Sequence, residues 1–270
     1  MTKLEDLKNI LSEMNSVIIA YSGGVDSSFL LKVGHDVLDT NVIAVTICSP
    51  VHPTREIDEA CKLADKIGVK HIIVNVNNLE EEYMRTNPID RCYYCKKDIF
   101  IKIWEIAHQY GINYVLDGSN ADDLNDFRPG MKAIEELGIR SPLKEVGLTK
   151  TEIRELSKNM GLNTWNKPSF SCLATRFPYG QEINAQKLKM VDKAESFLMD
   201  KGFKQIRVRH HGDIARIEVS SEERSCFFDE QLMDEVNIYL KKLGFVYVTL
   251  DFGSYRTGSM NEPLKGINKK

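Results

Sequence analysis

The segment that most restricts the fold is "SGGVDSS", residues 22–28, which stands between an apolar run and a helical pattern. The run before it, "SVIIAY", is typical of a buried parallel strand, and "SSFLLKVGHDVL" is typical of a helix. Two adjacent glycines let the backbone curl so that several N–H groups face an anion at the N-terminus of that helix. The sequence therefore predicts a phosphate-binding loop.

Each position of this loop has an expected task. Hydroxyl groups of the serines add hydrogen-bond donors, and the carboxylate of Asp26 is expected to hold Mg²⁺ or to fix the loop. We expect Ser22 and Asp26 to take part in catalysis. The full set of predicted nucleotide contacts in the loop is Ser22, Gly23, Gly24, Val25, Asp26, Ser27 and Ser28. The structural alternative is a glycine turn followed by a serine cap.

Strands alternate with helices over the first 120 residues. Three further apolar runs, at 41–47, 70–76 and 113–119, predict strands, and the helices between them end at Gly68 and Gly111. Such alternation predicts a parallel sheet with helices on both faces, that is, an α/β fold. Ligands of such sheets bind beyond the carboxyl ends of the strands, so "SGGVDSS", "TICSP" and "DGSNADD" should meet at one edge.

The pattern changes near Lys150. After an irregular stretch, two helices and three alternating strands predict a smaller α+β unit at the C-terminus. We therefore predict two domains, residues 1–178 and 179–270.

In the second domain, "QIRVRHHGDIARIEVS" predicts a hairpin of alternating strands. Alternation places Ile206 and Val208 on one face and Arg207 and Arg209 on the other. Guanidinium groups gathered in one place suit phosphate or carboxylate recognition, but spacing alone slightly favours an ordinary solvated strand face. Further candidates for the same group are Arg216, Glu218 and Arg256.

Composition bounds the functional class. The net charge is −3, so binding to nucleic acid is not expected, and the protein contains no apolar run long enough to predict a membrane span. The charged N-terminal segment predicts a first helix and not a secretory signal. These features predict a cytoplasmic protein.

The six cysteines do not suggest a disulfide framework in a cytosolic chain. Cys61 and Cys226 fall in helical patterns and Cys48 ends a strand, so all three are predicted to be small buried residues. The pair in "RCYYC" differs. With Asp90 as the N-cap, Cys92 and Cys95 would share one face of the first helical turn, where the thiolate form is favoured.

Four readings of the pair stay open: a disulfide, a redox pair, two metal ligands, or neighbours on a helix. Cys172, in the aperiodic segment "PSFSCLATRFPYG", is a third candidate thiol. A structural zinc site needs four ligands, whereas three cysteines on a 4Fe–4S cluster leave one iron open. Zinc completed by a histidine remains an alternative.

The loop resembles the PP-loop, "SGGxDS", of ATP pyrophosphatases, and the resemblance covers residues 15–120. It implies cleavage of ATP between the α and β phosphates, transfer of AMP to a substrate oxygen, a need for Mg²⁺, and release of pyrophosphate. Adenosine contacts are then expected at the end of the second strand, with Thr46, and in "DGSNADD", with Gly118.

Taken with "DFRPGMKAIEELGIRSPL", "PSFSCLATRFPYG" and "IRVRHHGDIARIEV", the loop resembles the LarE family of ATP-dependent sulfur transferases across almost the whole chain. The resemblance implies adenylylation of a carboxylate on pyridinium-3,5-biscarboxylic acid mononucleotide and its conversion to a thiocarboxylate for the nickel-pincer nucleotide cofactor. Cys172 matches the cysteine that bears the sulfur. The residues that match those associated with substrate phosphate are Arg207, Arg209, Arg256 and Glu218.

Two forms of this family differ in their cysteines. One carries only the equivalent of Cys172 and sacrifices its sulfur, while the other holds a 4Fe–4S cluster on three cysteines. "RCYYC" is typical of the second form, so Cys92, Cys95 and Cys172 are predicted cluster ligands, with an extra sulfide on the open iron as the sulfur delivered. We expect a homo-oligomer that works with other proteins of nickel-pincer cofactor synthesis. Alternatives are sacrifice of Cys172, a cluster-dependent tRNA thiolase, and an ATP-binding redox sensor.

Overall fold

A computed structural model of the chain describes residues 2–125, 129–168, 171–256 and 258–262. The described residues form two compact units, the first from residues 1–78 and 90–170 and the second from residues 79–89 and 171–270. The compact units differ from the predicted domains in assigning 79–89 and 171–178 to the second unit. Compactness reports packing and not function, so the division at residue 178 stays a prediction.

The secondary structure is given in chain order. The strands are β1 (Val17–Ala20), β2 (Val42–Cys48), β3 (Lys70–Asn75), β4 (Val115–Leu116), β5 (Ile206–His211), β6 (Ile214–Val219) and β7 (Tyr247–Leu250). The α-helices are α1 (Lys3–Met14), α2 (Val25–Leu38), α3 (Thr54–Ile67), α4 (Glu82–Thr86), α5 (Arg91–Gln109), α6 (Pro129–Glu136), α7 (Pro142–Glu145), α8 (Lys150–Asn159), α9 (Ala185–Asp200) and α10 (Glu230–Leu243).

The first unit is built on a four-stranded sheet in the order β3-β2-β1-β4, and every pair is parallel. Val17 pairs with Val42 in register, and Ile18 pairs with Val115 on the other side. The predicted parallel sheet is confirmed. The fourth strand is shorter than predicted, with two residues where the pattern indicated 113–119.

Helices cover both faces of this sheet, as predicted. Val17 and Ile19 of β1 pack into one apolar core with residues of α1, α2, α3 and α8. Ile18, which points to the opposite face, packs with Phe100 and Ile103 of α5. Because both faces are covered, the central strands β1 and β2 are largely apolar runs without polar alternation, whereas the edge strand β3 is partly exposed.

Local signals explain where several helices begin and end. Thr149 begins α8 in a capping box with Glu152, and Gly68 ends α3 with a φ of 87°. Asp90 occupies the N-cap position of α5 as predicted, but its side chain makes no capping hydrogen bond.

The second unit contains a smaller, mixed sheet in the order β5-β6-β7. β5 and β6 form an antiparallel hairpin, while β6 and β7 are parallel. The predicted α+β unit is thus confirmed in kind. Cys226 is a correction: it lies in a 3₁₀ helix, Arg224–Phe228, and is exposed where a buried residue was predicted.

Within the described part of the chain, no helix has both the length and the apolar character needed to cross a membrane.

Candidate active site

The phosphate loop lies between β1 and α2, where the sequence predicts it. Gly23 has a φ of 71°, in the left-handed region, and a Cβ placed there would lie 2.7 Å from Cβ of Ala60. Only glycine satisfies both the backbone conformation and the close approach of α3. Gly24 has a φ of −76° and is the N-cap of α2, with no side-chain cap, so the first turn of α2 is left for an anion.

Gly23→Ala is expected to destabilise the protein by on the order of 2–4 kcal/mol and to abolish ATP binding, because the loop cannot keep its shape. Gly24→Ala is the matched control. Its Cβ would lie 3.4 Å from Oγ of Ser22, and its backbone suits any residue, so we expect a change within about 0.5 kcal/mol. Thermal unfolding and calorimetric ATP titration measure both effects, and equal behaviour of the two variants would contradict this account.

Ser27 holds the loop closed. Its hydroxyl donates to the carbonyl of Gly24 at 3.3 Å and accepts from the backbone N–H of Ser22 at 3.3 Å. The hydroxyl oxygens of Ser22 and Ser27 lie 3.2 Å apart. The loop is therefore pre-formed, and the Ser22 hydroxyl lies at its centre.

The two carboxylate oxygens of Asp26 differ in their partners. Oδ2 forms an ion pair with Nζ of Lys150, while Oδ1 is buried without a hydrogen-bond partner among the described residues. Burial raises the pKa of Asp26, and the charge of Lys150 opposes that rise. A buried carboxylate oxygen with no partner, beside a loop of free N–H groups, fits a Mg²⁺ ion bound together with phosphate.

The other predicted nucleotide contacts lie at the same edge of the sheet. A Cβ on Gly118 would be 3.0 Å from the backbone nitrogen of Ser27, so the loop after β4 packs against the start of α2. The Thr46 hydroxyl donates to the carbonyl of Tyr21 at 2.7 Å and lies 2.8 Å from Nε2 of His71. The structure therefore brings Thr46 and Gly118 together with the loop.

The segment "DGSNADD" also fixes α8. The backbone N–H of Lys150 donates to Asp122 at 2.8 Å, and that of Asn120 donates to Asp123 at 3.0 Å. The first bond fixes the start of α8, from which Lys150 reaches Asp26, and the second closes a turn within the segment. The resemblance motifs beyond this segment contain residues 126–128 and 169–170, which lie outside the described residues.

Sequence reasoning missed two lysines at the loop. Lys150 is 124 residues from Asp26, and Lys167, which donates to the carbonyl of Gly23 at 3.3 Å, is 144 residues from it. Lys167 is also paired with Glu56 at 2.8 Å and Glu59 at 2.9 Å. No local pattern marks either residue, because both reach the loop only through the tertiary fold.

Cys92 and Cys95 lie in the first turn of α5, as predicted, and both are half-buried. Nη2 of Arg91 lies 3.9 Å from Sγ of Cys92, and Nδ2 of Asn78 lies 3.9 Å from Sγ of Cys95. Among the described residues there is no group of three His, Cys, Asp or Glu side chains that could hold a metal ion. Cys92 and Cys95 belong to the first unit and Cys172 to the second, so the metal role predicted for these three thiols stays a prediction.

Cys172 immediately precedes a 3₁₀ helix, Leu173–Arg176, as its N-cap residue. Its carbonyl accepts from the backbone N–H of Thr175 at 3.0 Å and from the Thr175 hydroxyl at 2.8 Å. The side chain is half-buried. An irregular segment is thus held in a defined turn around the cysteine.

Two of the arginines predicted for the second-unit group, Arg207 and Arg209, are buried and not solvated. Arg209 is 4% exposed and donates to Glu218 at 2.7 Å, to the Ser259 hydroxyl at 2.9 Å and to the carbonyl of Thr175 at 3.0 Å. Arg216 also pairs with Glu218, at 3.0 Å, and with Asp251. Nε of Arg209 has no hydrogen-bond partner in the described part of the chain. The expectation of a solvated strand face, drawn from spacing alone, was wrong.

Arg207 and Arg256 differ in their surroundings. Arg207 is 1% exposed, and its guanidinium lies 5.0 Å from the ring centroid of Tyr255. Burial, with the charge of Arg176 as a second cause, lowers the pKa of Arg207 to about 10. Arg256 is exposed and pairs with Glu262 at 3.0 Å. The structure therefore groups Arg207, Arg209 and Glu218, while Arg256 pairs directly with Glu262 and interacts with Glu218 only through its charge.

Comparison with known proteins identifies the chain. The NAD synthase family model matches residues 4–91, which include the phosphate loop. Pyridinium-3,5-bisthiocarboxylic acid mononucleotide synthase of Lactiplantibacillus plantarum is 39% identical, over 97% of this chain and 95% of that protein. An uncharacterised protein of Synechocystis is 41% identical, over 97% of this chain and 98% of that protein. A tRNA-specific 2-thiouridylase of Thermoanaerobacter is 27% identical, over 64% of this chain and 59% of its own.

Identity of 39% over nearly the full length of both chains, together with the loop geometry, establishes membership of a family and not merely of a fold. The PP-loop in that family implies the use of ATP and Mg²⁺. The chain belongs to the LarE family and is an ATP-dependent sulfurtransferase.

Proposed function

We propose that the chain adenylylates a carboxylate of pyridinium-3,5-biscarboxylic acid mononucleotide and converts it to a thiocarboxylate, as a step of nickel-pincer nucleotide synthesis. The observation that carries the proposal is the buried Oδ1 of Asp26, which accepts no hydrogen bond from the described residues and lies beside a helix N-terminus without a side-chain cap. Mg²⁺ at this oxygen would neutralise charge on the departing pyrophosphate. The N–H groups of Gly24 to Ser27 would orient the phosphates for attack by the substrate carboxylate on the α-phosphorus.

The substrate phosphate is assigned to the second unit. Arg207 and Arg209 are buried, and Nε of Arg209 donates to no acceptor among the described residues, so a phosphate oxygen would satisfy it. Glu218 holds the guanidinium of Arg209 in place and so orients the site. Arg256 is exposed, and its long side chain allows it to leave Glu262 for a bound phosphate.

The sulfur source is the second part of the proposal. Sulfide attacks the acyl adenylate at its carbonyl carbon, AMP leaves, and the thiocarboxylate forms. A 4Fe–4S cluster on Cys92, Cys95 and Cys172 would leave one iron without a protein ligand, and that iron would carry the sulfide. Support comes from the two thiols that share the first turn of α5 and from the relation to the LarE family. Sacrifice of the Cys172 sulfur is the competing route.

Turnover of the whole reaction is tested with ATP, Mg²⁺, sulfide and the carboxylated pyridinium mononucleotide. We expect pyrophosphate release to depend on the mononucleotide. Mass spectrometry should show a product that is 16 Da heavier than the mononucleotide, the mass difference between sulfur and oxygen. Release of pyrophosphate without dependence on the mononucleotide would contradict the proposed substrate. A 34 Da loss from Cys172 after one turnover would support sacrifice.

Iron binding is a separate prediction. Anaerobically purified chain should contain about four irons and four sulfides, and Cys92→Ala, Cys95→Ala and Cys172→Ala should each lose most of them. The exposed Cys226 provides the matched control, because Cys226→Ala removes a thiol outside the proposed ligand set. Iron and sulfide analysis with an absorption spectrum measures the result. One zinc and no iron in the wild-type chain would refute the cluster.

A tRNA thiolase is the second candidate, and the match to tRNA-specific 2-thiouridylase supports it. The net charge of −3 argues against it, because tRNA binding relies on Lys and Arg contacts with phosphates. Thiolation assays with unmodified tRNA and with the mononucleotide, run side by side, decide between them. Sulfur incorporation into tRNA alone would replace the first proposal.

The remaining proposals concern the setting of the enzyme. We place it in the cytoplasm, as a homo-oligomer that exchanges its mononucleotide with other nickel-pincer cofactor enzymes. Light scattering of the purified chain tests the oligomer, and a monomeric mass at micromolar concentration would contradict it.

A further inference from the structure

The side chain of Arg176 is fully buried, and it lies four residues after Cys172. A charged group is buried at this depth only where its donors are satisfied, since an unpaired buried charge is costly. All of the contacts described next lie within the second unit. The guanidinium donates from two edges, one formed by Nε and Nη2 and the other by Nη1, and each edge has its own partners.

One edge is held rigidly. Nε and Nη2 of Arg176 donate to the two carboxylate oxygens of Glu195 at 2.9 and 2.8 Å, which is a bidentate pair. Glu195 of α9 also accepts from the backbone N–H of Val208 in β5 at 2.8 Å. Burial opposes the charge of Arg176, but Glu195 outweighs it and the pKa of Arg176 is raised. The guanidinium is thus a fixed cation.

The other edge contacts the cysteine segment. Nη1 of Arg176 lies 2.8 Å from the carbonyl of Ser171, 3.1 Å from the carbonyl of Cys172 and 2.9 Å from the hydroxyl of Thr175. In addition, the carbonyl of Thr175 accepts from Arg209 of β5. The turn around Cys172 is therefore tied twice to the strand that carries Arg207 and Arg209.

We propose that Arg176 is a positioning residue for Cys172: anchored by Glu195, its guanidinium holds the backbone carbonyls of Ser171 and Cys172 and so fixes the turn that carries the thiol. This inference rests on the proposed role of Cys172 in sulfur delivery. It places the sulfur-bearing turn and the proposed phosphate-binding arginines on one hydrogen-bonded network. Sulfur chemistry, and not ATP binding, should depend on it.

The test measures alkylation of Cys172 by iodoacetamide against pH, peptide by peptide, on full-length chain prepared without iron. The plateau rate at high pH reports access of the reagent to the sulfur. Arg176→Lys keeps the charge and loses the planar, two-donor edge of the guanidinium, so its plateau should rise several-fold. Arg176→Met with Glu195→Met removes the pair without leaving a lone buried charge, so its plateau should rise at least as much. Cys226 is the internal reference and should not change.

Two turnover measurements complete the test. In both variants kcat for thiocarboxylate formation should fall about 10-fold or more, while KM for ATP stays within about twofold of the wild-type value. Identical alkylation profiles in wild type and both variants would overturn the role of Arg176. Full thiocarboxylate formation by Cys172→Ala would overturn the proposed role of Cys172 instead, and the alkylation profiles would still report on the clamp.

Discussion

Asp26→Asn is expected to lower the rate of pyrophosphate release by at least about 100-fold, with little change in protein stability. Oδ1 of this carboxylate is buried and accepts no hydrogen bond from the described residues. Only an ionised oxygen in this position would bind Mg²⁺ together with the β- and γ-phosphates. Asparagine keeps the shape of the side chain and removes the charge. It also frees Lys150 from its ion pair, and that lysine cannot replace a divalent cation.

Asp36→Asn is the matched control for this experiment. Asp36 lies on the same helix, α2, and pairs with Lys32 at the surface. We expect it to release pyrophosphate at the wild-type rate. A coupled pyrophosphate assay over a series of Mg²⁺ concentrations measures both variants. Retention of more than a third of the wild-type rate in Asp26→Asn at saturating Mg²⁺ would remove Asp26 from the catalytic site.

The loop and the sheet could be predicted from sequence because their signals are local. A glycine pair, an apolar run and a helical period all lie within about 25 residues of one another, and the conformation of Gly23 follows from its residue type. Parallel order then follows from the alternation of strands and helices. The lysine side chains that contact the loop could not be predicted, because Lys150 and Lys167 are more than a hundred residues away from it in the sequence.

Strand β5 shows why the spacing of residues led to a wrong prediction for the burial of its arginines. Alternation correctly separates Ile206 from Arg207, but it assumes that one face of the strand meets water. In the structure Glu195 of α9 and the turn at Thr175 both contact β5, and Ser259 contacts Arg209. Partners of opposite charge, supplied by tertiary contacts, therefore make burial of the guanidinium groups tolerable.

Glu218 holds these guanidinium groups, and its substitution by glutamine should destabilise the second unit by about 3–5 kcal/mol. Its carboxylate is 1% exposed and accepts from Arg209 at 2.7 Å, from Arg216 at 3.0 Å and from Ser259 at 3.2 Å. Glutamine has the same size, but it leaves the charge of Arg209 without its buried counter-ion, while Arg216 keeps its pair with Asp251. Urea unfolding followed by circular dichroism, together with amide hydrogen exchange of residues 206–219, measures the loss.

Glu262→Gln is the control, because the pair of Glu262 with Arg256 is exposed and should contribute less than about 1 kcal/mol. Equal stability of the two variants would contradict the buried network. Inorganic phosphate adds a second readout. If these arginines bind the phosphate of the substrate, an added anion should replace part of the lost negative charge and stabilise Glu218→Gln more than the wild-type chain. Stabilisation by phosphate that is equal in both chains would leave the buried network intact and place the substrate phosphate elsewhere.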